Sequence, residues 1–234
     1  MQVCQDMARA QAEAARAGLE LRQEPDDLVL TDGSLELRAD FSRMLPRLKP
    51  GVLQHELLVK AARLKGVDEP TAIDATAGLG EDSLLLAAAG FHVRLFECNP
   101  VIAALLRDAV ERASENPALA PIAARMVPVE GDSLKALATA ASSGFAPDLV
   151  YLDPMFPGRT KSAAVKKKFQ LLHHLERPCA DERAMLDAAF AAGPRKIVVK
   201  RPVKGPCLAG VKPSYSIAGK AVRYDVLIPP RKEA

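Results

Sequence analysis

The sequence predicts an α/β fold, a mainly parallel sheet with helices on both faces, plus a small N-terminal αβ extension. Three observations carry this. From Thr71 onward, short apolar runs alternate regularly with longer stretches of helical spacing. Residues 1–51 lack that alternation and hold instead an Ala-rich helical stretch and a hairpin signature. With 49% apolar and 26% charged residues over 234 positions, the composition is that of a globular chain able to bury a core without disulfides.

Residues 1–18 read as a surface helix. The run 27–41, DLVLTDGSLELRADF, has two alternating segments around Asp32–Gly33, the dipeptide of a tight hairpin turn. Residues 42–51 contain Pro46, Pro50 and Gly51 and read as a linker, which divides the chain into an extension at 1–51 and a main domain at 52–234. Residues 52–65 carry helical spacing in Leu53, Leu57, Leu58, Ala61 and Leu64. Strand Thr71–Ala75 precedes helix Glu81–Ala89, which Gly90 ends. Strand His92–Glu97 leads to helix Pro100–Arg112, whose first-turn proline has no N–H to waste. Strand Arg125–Glu130 is followed by a helix from Ser133, with Asp132 as N-cap. Asp148–Leu152 is a strand, 163–176 and 181–192 are helices, and Arg195–Lys200 and Val222–Ile228 are strands.

Some classes are disfavoured. Cys4, Cys98, Cys179 and Cys207 are far apart and have no C-x-x-C spacing, and His55, His92, His173 and His174 lack ligand spacing, so no metal site is expected. There is no run of about 18 apolar residues to span a membrane. The first residues carry Asp6 and Glu13 and no apolar h-region, so a secretory signal is not expected and a cytoplasmic location is the default. The net charge of +3 conceals an asymmetry, −8 up to Asp153 and +11 after it. A basic half suggests an anionic partner, nucleic acid foremost, with a solvated basic surface as the plain alternative.

In open α/β sheets ligands sit beyond the carboxyl ends of the strands. The first strand ends in Asp74-Ala-Thr-Ala-Gly78-Leu-Gly80-Glu81-Asp82, where the glycines permit a sharp turn and close approach of backbone to ligand. Ser83 breaks the G-x-G-x-x-G dinucleotide pattern, which argues against a nicotinamide-dependent oxidoreductase. The acidic loop would repel a pyrophosphate but not a sulfonium bearing an amino group, the charge pattern of S-adenosylmethionine. Glu97 ends the second strand, 17 residues after Gly80, where a carboxylate can accept both ribose hydroxyls; the plain alternative is a helix-capping or solvated acid. The third strand ends in Glu130-Gly131-Asp132-Ser133; Asp132 can accept from an adenine amino group, cap the helix, or do both.

The fourth strand delivers Asp153-Pro154-Met155-Phe156-Pro157, the most specific feature of the chain. An exocyclic amine on a base is a poor nucleophile because its lone pair is delocalised into the ring. The Asp153 carboxylate and the Pro154 carbonyl can accept from its N–H groups and direct the lone pair at a methyl group. Phe156 offers a face for base stacking, worth ~1–3 kcal/mol in nucleic-acid sites.

Five ordered motifs now carry a resemblance: Asp74-Ala-Thr-Ala-Gly-Leu-Gly, Glu97-x-Asn-Pro-Val-Ile-Ala-Ala-Leu-Leu-Arg-Asp, Tyr151-Leu-Asp-Pro-Met-Phe-Pro, Lys161-Ser-Ala-x-Val-Lys-Lys and Val198-Val-Lys-Arg-Pro. Together, over about residues 71–225, they resemble the RsmJ (YhiQ) family of small-subunit rRNA guanine-N2 methyltransferases, with this chain a divergent member. The resemblance implies a class I, Rossmann-like fold, S-adenosylmethionine as cofactor, and ribosomal RNA or the small ribosomal subunit as partner. It also implies cofactor contacts by Glu81, Asp82, Glu97, Cys98, Asp132, Ser133 and Asp153. The chain departs from the family pattern in the segment Phe41 to Glu56, and by Glu81 where Arg is usual.

Arg159, Lys161, Lys166 and Lys167 follow the Asp153 loop, and Lys200 and Arg201 end the next strand; these are the expected phosphate contacts. Two alternatives stay open at this stage. One is an amino-methyltransferase acting on another RNA or on a DNA base, since the Asp-Pro loop suits any exocyclic amine. The other is a nucleic-acid-binding module without catalysis.

Overall fold

The computed structural model describes residues 2–143, 146–154, 170–172, 175 and 181–230, the side chains of residues 2–4 excepted. The expected helix at 163–176 falls largely outside these residues. In chain order the elements are α1 (Gln2–Arg16), β1 (Glu20–Gln23), β2 (Leu28–Thr31), β3 (Glu36–Leu37), a 3-10 turn (Phe41–Met44), α2 (Leu45–Leu48), α3 (Pro50–Leu53) and α4 (Leu57–Ala62). Next come β4 (Thr71–Asp74), α5 (Glu81–Ala88), β5 (His92–Glu97), α6 (Pro100–Glu115), α7 (Ala120–Ala123), β6 (Met126–Glu130), α8 (Ser133–Ser143) and β7 (Leu149–Leu152). The described chain closes with α9 (Glu182–Ala191), β8 (Lys196–Pro202), β9 (Tyr215–Ala218) and β10 (Val222–Leu227). No described helix is long and apolar enough to cross a membrane.

The main sheet has seven strands in the order β6-β5-β4-β7-β8-β10-β9. β6 through β8 are parallel, whereas β10 pairs antiparallel with both β8 and β9. The chain builds outward from β4 to β5 and β6, then returns to place β7 and β8 on the other side of β4. The reversal lies between β4 and β7, the place where open α/β sheets bind their ligands.

Strand alternation sends the core to both faces. On β7, Leu149 and Tyr151 join one buried cluster with Leu84–Leu86 of α5 and Leu105 and Leu106 of α6. Val150 and Leu152 join the other, with Leu137 of α8 and Met185, Leu186 and Ala189 of α9. Because both faces are covered, the central strands read as continuous apolar runs rather than as alternation. Each fully buried leucine contributes about 1.5–3 kcal/mol.

The N-terminal extension forms its own three-stranded antiparallel sheet, β1-β2-β3. The Asp32–Gly33 turn is built as expected: the Asp32 carboxylate accepts from the backbone N–H of Ser34 and Leu35 at 2.8 and 2.7 Å, and Gly33 has φ +90°. Ala10, Ala14, Leu28, Leu30 and Phe41 belong to the same buried cluster as α5 and α6. α1 is further tied to the main sheet by Arg9, which pairs with Glu130.

Two expectations need correction, and two strands were missed. Residues 42–51 are not an open linker but successive helical turns that bury Phe41 and Met44, because Pro46 and Pro50 start turns instead of breaking them. The helix expected over 52–65 is split, with extended Glu56 separating α3 from the six-residue α4. Lys196 Nζ then caps α4 by donating to the carbonyls of Ala61 and Arg63 at 2.9 and 2.7 Å. Strands β1 and β9 went unread; ELRQ and YSIA are short, largely exposed and weakly patterned.

Candidate active site

β4 and the loop after it lie at that reversal. Asp74 is buried, and its carboxylate accepts from Thr76 N–H at 3.0 Å and from Ser83 Oγ at 2.6 Å. Burial raises its pKa to about 7, against the pull of those two bonds. Asp74 therefore shapes the loop from beneath. The sign of its pH linkage follows. The folded protein keeps a proton that the unfolded chain releases in the ordinary carboxylate range. This group's stabilisation is full below that range and is lost as pH rises to about 7. Asp74→Asn should therefore gain in melting temperature relative to the parent between about pH 5 and pH 8. A difference that does not vary with pH would rule out the raised carboxyl.

Gly78 and Gly80 both adopt positive φ, +54° and +81°. At Gly80 a Cβ would lie 2.5 Å from Leu106 Cδ1 and 3.1 Å from Phe41 Cζ, so the loop backbone presses directly on α6 and the 3-10 turn. Gly78 N–H donates to Glu97 Oε2 at 3.0 Å, and Asn99 N–H donates to Glu97 Oε1 at 2.8 Å. These bonds hold the carboxylate at the end of β5. Burial raises the Glu97 pKa, and the surrounding N–H groups resist the shift. Asn99 caps α6 through Val101 N–H and Ile102 N–H and donates to the Leu175 carbonyl at 2.9 Å.

Cys98 is exposed beside Glu97. Asp132 is exposed and caps α8, its carboxylate accepting from Leu134 N–H at 2.9 Å and its carbonyl from Ala136 N–H at 3.1 Å. Ser133 is half-buried at the first position of that helix, and Glu81 is exposed at the start of α5.

Asp153 leaves the end of β7 with its backbone N–H donating to Thr76 Oγ1 at 2.6 Å, which binds the two central strand ends together; Pro154 is buried next to it. Asp82 stands opposite, its Oδ2 accepting from Tyr151 OH at 2.6 Å and from Lys200 Nζ at 2.5 Å. Lys200 Nζ is also 2.9 Å from Asp153 Oδ2. Burial pushes the Asp82 pKa up, but the Lys200 ammonium and the hydroxyl hold it below the usual carboxylate range. Burial works against the Lys200 charge, and Asp82 and Asp153 more than reverse that, raising it.

The phosphate-contact reading of Lys200 and Arg201 is corrected by this geometry. The Lys200 ammonium is committed to two carboxylates. Arg201 is buried on the opposite face of the sheet, where it pairs with Glu182 at 3.0 Å and donates to the Pro206 carbonyl at 2.9 Å. Phe156, Arg159, Lys161, Lys166 and Lys167 lie outside the described residues. Thr76, Tyr151 and Asn99 were not singled out from sequence as site residues. Of the three, only Asn99 carried a usable signal, as an N-cap before proline.

Residues 3–229 match the family model described as "Putative SAM-dependent methyltransferase". Over 192 residues, 81% of this chain and 73% of the relative, the sequence is 45% identical to the ribosomal RNA small subunit methyltransferase J of Pseudomonas aeruginosa. The chain belongs to the methyltransferase J family. The relative of that name from Pseudomonas syringae pv. tomato is 38% identical over 234 residues, 94% of this chain and 86% of its own. A crystal structure of a SAM-dependent methyltransferase from Neisseria gonorrhoeae shares the fold, with a TM-score of 0.75 at 33% identity over 92% of this chain and 85% of that one.

As a methyltransferase J family member, the protein is an S-adenosylmethionine-dependent methyltransferase with the class I fold. Its own residues fit that cofactor. A carboxylate fixed by two backbone N–H groups ends β5, where it can accept from ribose hydroxyls. The two carboxylates of Asp82 and Asp153 outnumber the single Lys200 ammonium between them, which suits a cationic ligand.

Proposed function

We propose that this methyltransferase methylates the exocyclic N2 amine of a guanine in small-subunit ribosomal RNA, acting in the cytoplasm. The single observation that carries the amine assignment is Asp153-Pro154 at the strand-order reversal, with the Asp153 backbone tied to Thr76. The names of the relatives support the RNA.

When bound, S-adenosylmethionine supplies a sulfonium-activated methyl group. Glu97 accepts the ribose hydroxyls, and Asp132, with Ser133 and Cys98 alongside, meets the adenine. Gly78 and Gly80 let the backbone lie close to the cofactor, with Glu81 and Asp82 on its amino-acid side. Asp153 and the Pro154 carbonyl accept from the target N–H groups and orient the lone pair. Asp153 need not be a strong base, since the alkylated amine loses its proton readily. Phe156 stacks the extruded base, and Arg159, Lys161, Lys166 and Lys167 neutralise nearby phosphates. Residues 1–51 form an extension that borders the pocket and screens substrate; the approach of Phe41 to Gly80 supports this.

The direct test is transfer of labelled methyl to small-subunit RNA, followed by nucleoside digestion. N2-methylguanosine is the expected product. A methylated adenine or cytosine, or acceptance of DNA alone, would overturn the proposal. Glu97→Ala should weaken S-adenosylmethionine binding about 10- to 100-fold by calorimetric titration, the loss of hydrogen bonds to a charged group. An unchanged Kd would remove Glu97 from the cofactor site.

A further inference from the structure

Lys200 has no part in the mechanism above, yet it occupies the centre of the cluster. Its side chain is only 16% exposed, and its ammonium touches Asp82 Oδ2 and Asp153 Oδ2 at 2.5 and 2.9 Å. Because both oxygens contact one nitrogen, they stand no more than 5.4 Å apart. The Tyr151 hydroxyl, from β7, donates to the same Asp82 oxygen at 2.6 Å. Asp74 faces the cluster from β4, Tyr224 from β10, and Arg47 from α2. Arg47 is itself forked onto Glu56 at 2.7 and 2.8 Å.

Lysine stems ordinarily carry their charge out to water. Here the charge is drawn inward, between two carboxylates from different elements. Two carboxylates this close, with the cation removed, do not both stay ionised. A protonated Asp153 would offer a donor where the target amine needs an acceptor.

We infer that Lys200 is a positioning residue for methyl transfer: its ammonium holds Asp153 ionised and in one orientation toward the target amine, while Asp82 and the Tyr151 hydroxyl hold the ammonium. This rests on the reading that Asp153 accepts from that amine.

The test is methyl transfer to small-subunit RNA as a function of pH in the full chain, comparing the parent with Lys200→Met, Lys200→Arg and Asp82→Asn/Lys200→Met. Lys200→Met should lose about 100-fold in kcat, with KM for S-adenosylmethionine and RNA changed only a few-fold. Its acid limb should move up by about one pH unit or more, since one carboxylate of the uncompensated pair retains its proton. The double variant removes the like charge together with the cation, so its acid limb should return toward the parent. It also guards against misfolding of the single variant, because Asp82 no longer faces Asp153 as an uncompensated like charge. Lys200→Arg should keep part of the activity. If Lys200→Met has the parental kcat, or the double variant has the shifted limb of the single one, the inference fails. Asp153→Ala, run in parallel, separates the two levels. If it stays active, the amine reading falls and takes this inference with it. If it is inactive while Lys200→Met keeps the parental pH profile, only the role of Lys200 is lost.

Discussion

Asp153→Ala is expected to lower kcat by about 100- to 1,000-fold while the protein stays folded, the scale of removing one preorganised polar group from a transition state. The residue is fixed twice, by its backbone N–H on Thr76 Oγ1 at 2.6 Å and by its carboxylate on Lys200 at 2.9 Å. That double fixation suits a group whose orientation matters. Truncation leaves the Thr76 bond intact, because it belongs to the backbone. Lys200 also keeps Asp82 at 2.5 Å, so the buried cation still has a partner and stability changes little. Asp153→Asn retains the shape and one carbonyl acceptor and should fall between the two. Single-turnover transfer to small-subunit RNA, with a thermal melt as the folding control, measures the effect. Alanine activity within a few-fold of the parent would remove Asp153 from the chemistry.

Gly80→Ala should have the largest effect on stability. Gly80 sits at φ +81°, where an L side chain costs about 1–2 kcal/mol. Its new methyl would lie 2.5 Å from Leu106 Cδ1, and Leu106 is 1% exposed in a filled core, so it has no room to withdraw. Overpacking of this kind adds about 1–3 kcal/mol. The sum of about 2–5 kcal/mol corresponds to a fall of roughly 5–15 °C in Tm for a domain of this size. S-adenosylmethionine affinity should fall with it, since the displaced loop is the one expected to approach the cofactor. Gly78→Ala is the internal control. Its φ is +54°, but nothing lies within 4 Å of the added carbon, so only the backbone strain of about 1–2 kcal/mol applies. Equal melting of the two variants would show that the contact with Leu106 is not rigid.

The sequence by itself determined the alternation of strand and helix, the four strand ends that gather at one edge of the sheet, and the turn residues that shape them. These are local properties. A glycine's φ, a cap, or the acid that follows a strand depends on a few neighbouring residues. Hence the Asp74–Gly80 loop, Glu97 and Asp153 were legible, as was the Asp32–Gly33 turn. What the sequence left open was where side chains point once strands pair. Lys200 and Arg201 are adjacent and looked like one basic rim. Successive residues of a strand face opposite sides of the sheet. Lys200 shares the face of Tyr151 and meets Asp82, 118 residues away, while Arg201 turns to the other face and is buried against Glu182. The segment at 42–51 was misread for a similar reason. Its prolines are ambiguous as local signals, and the burial of Phe41 and Met44 against distant elements made it helical. Only the tertiary structure decided which charges meet, because that depends on strand order and register, and neither is written in a short stretch of sequence.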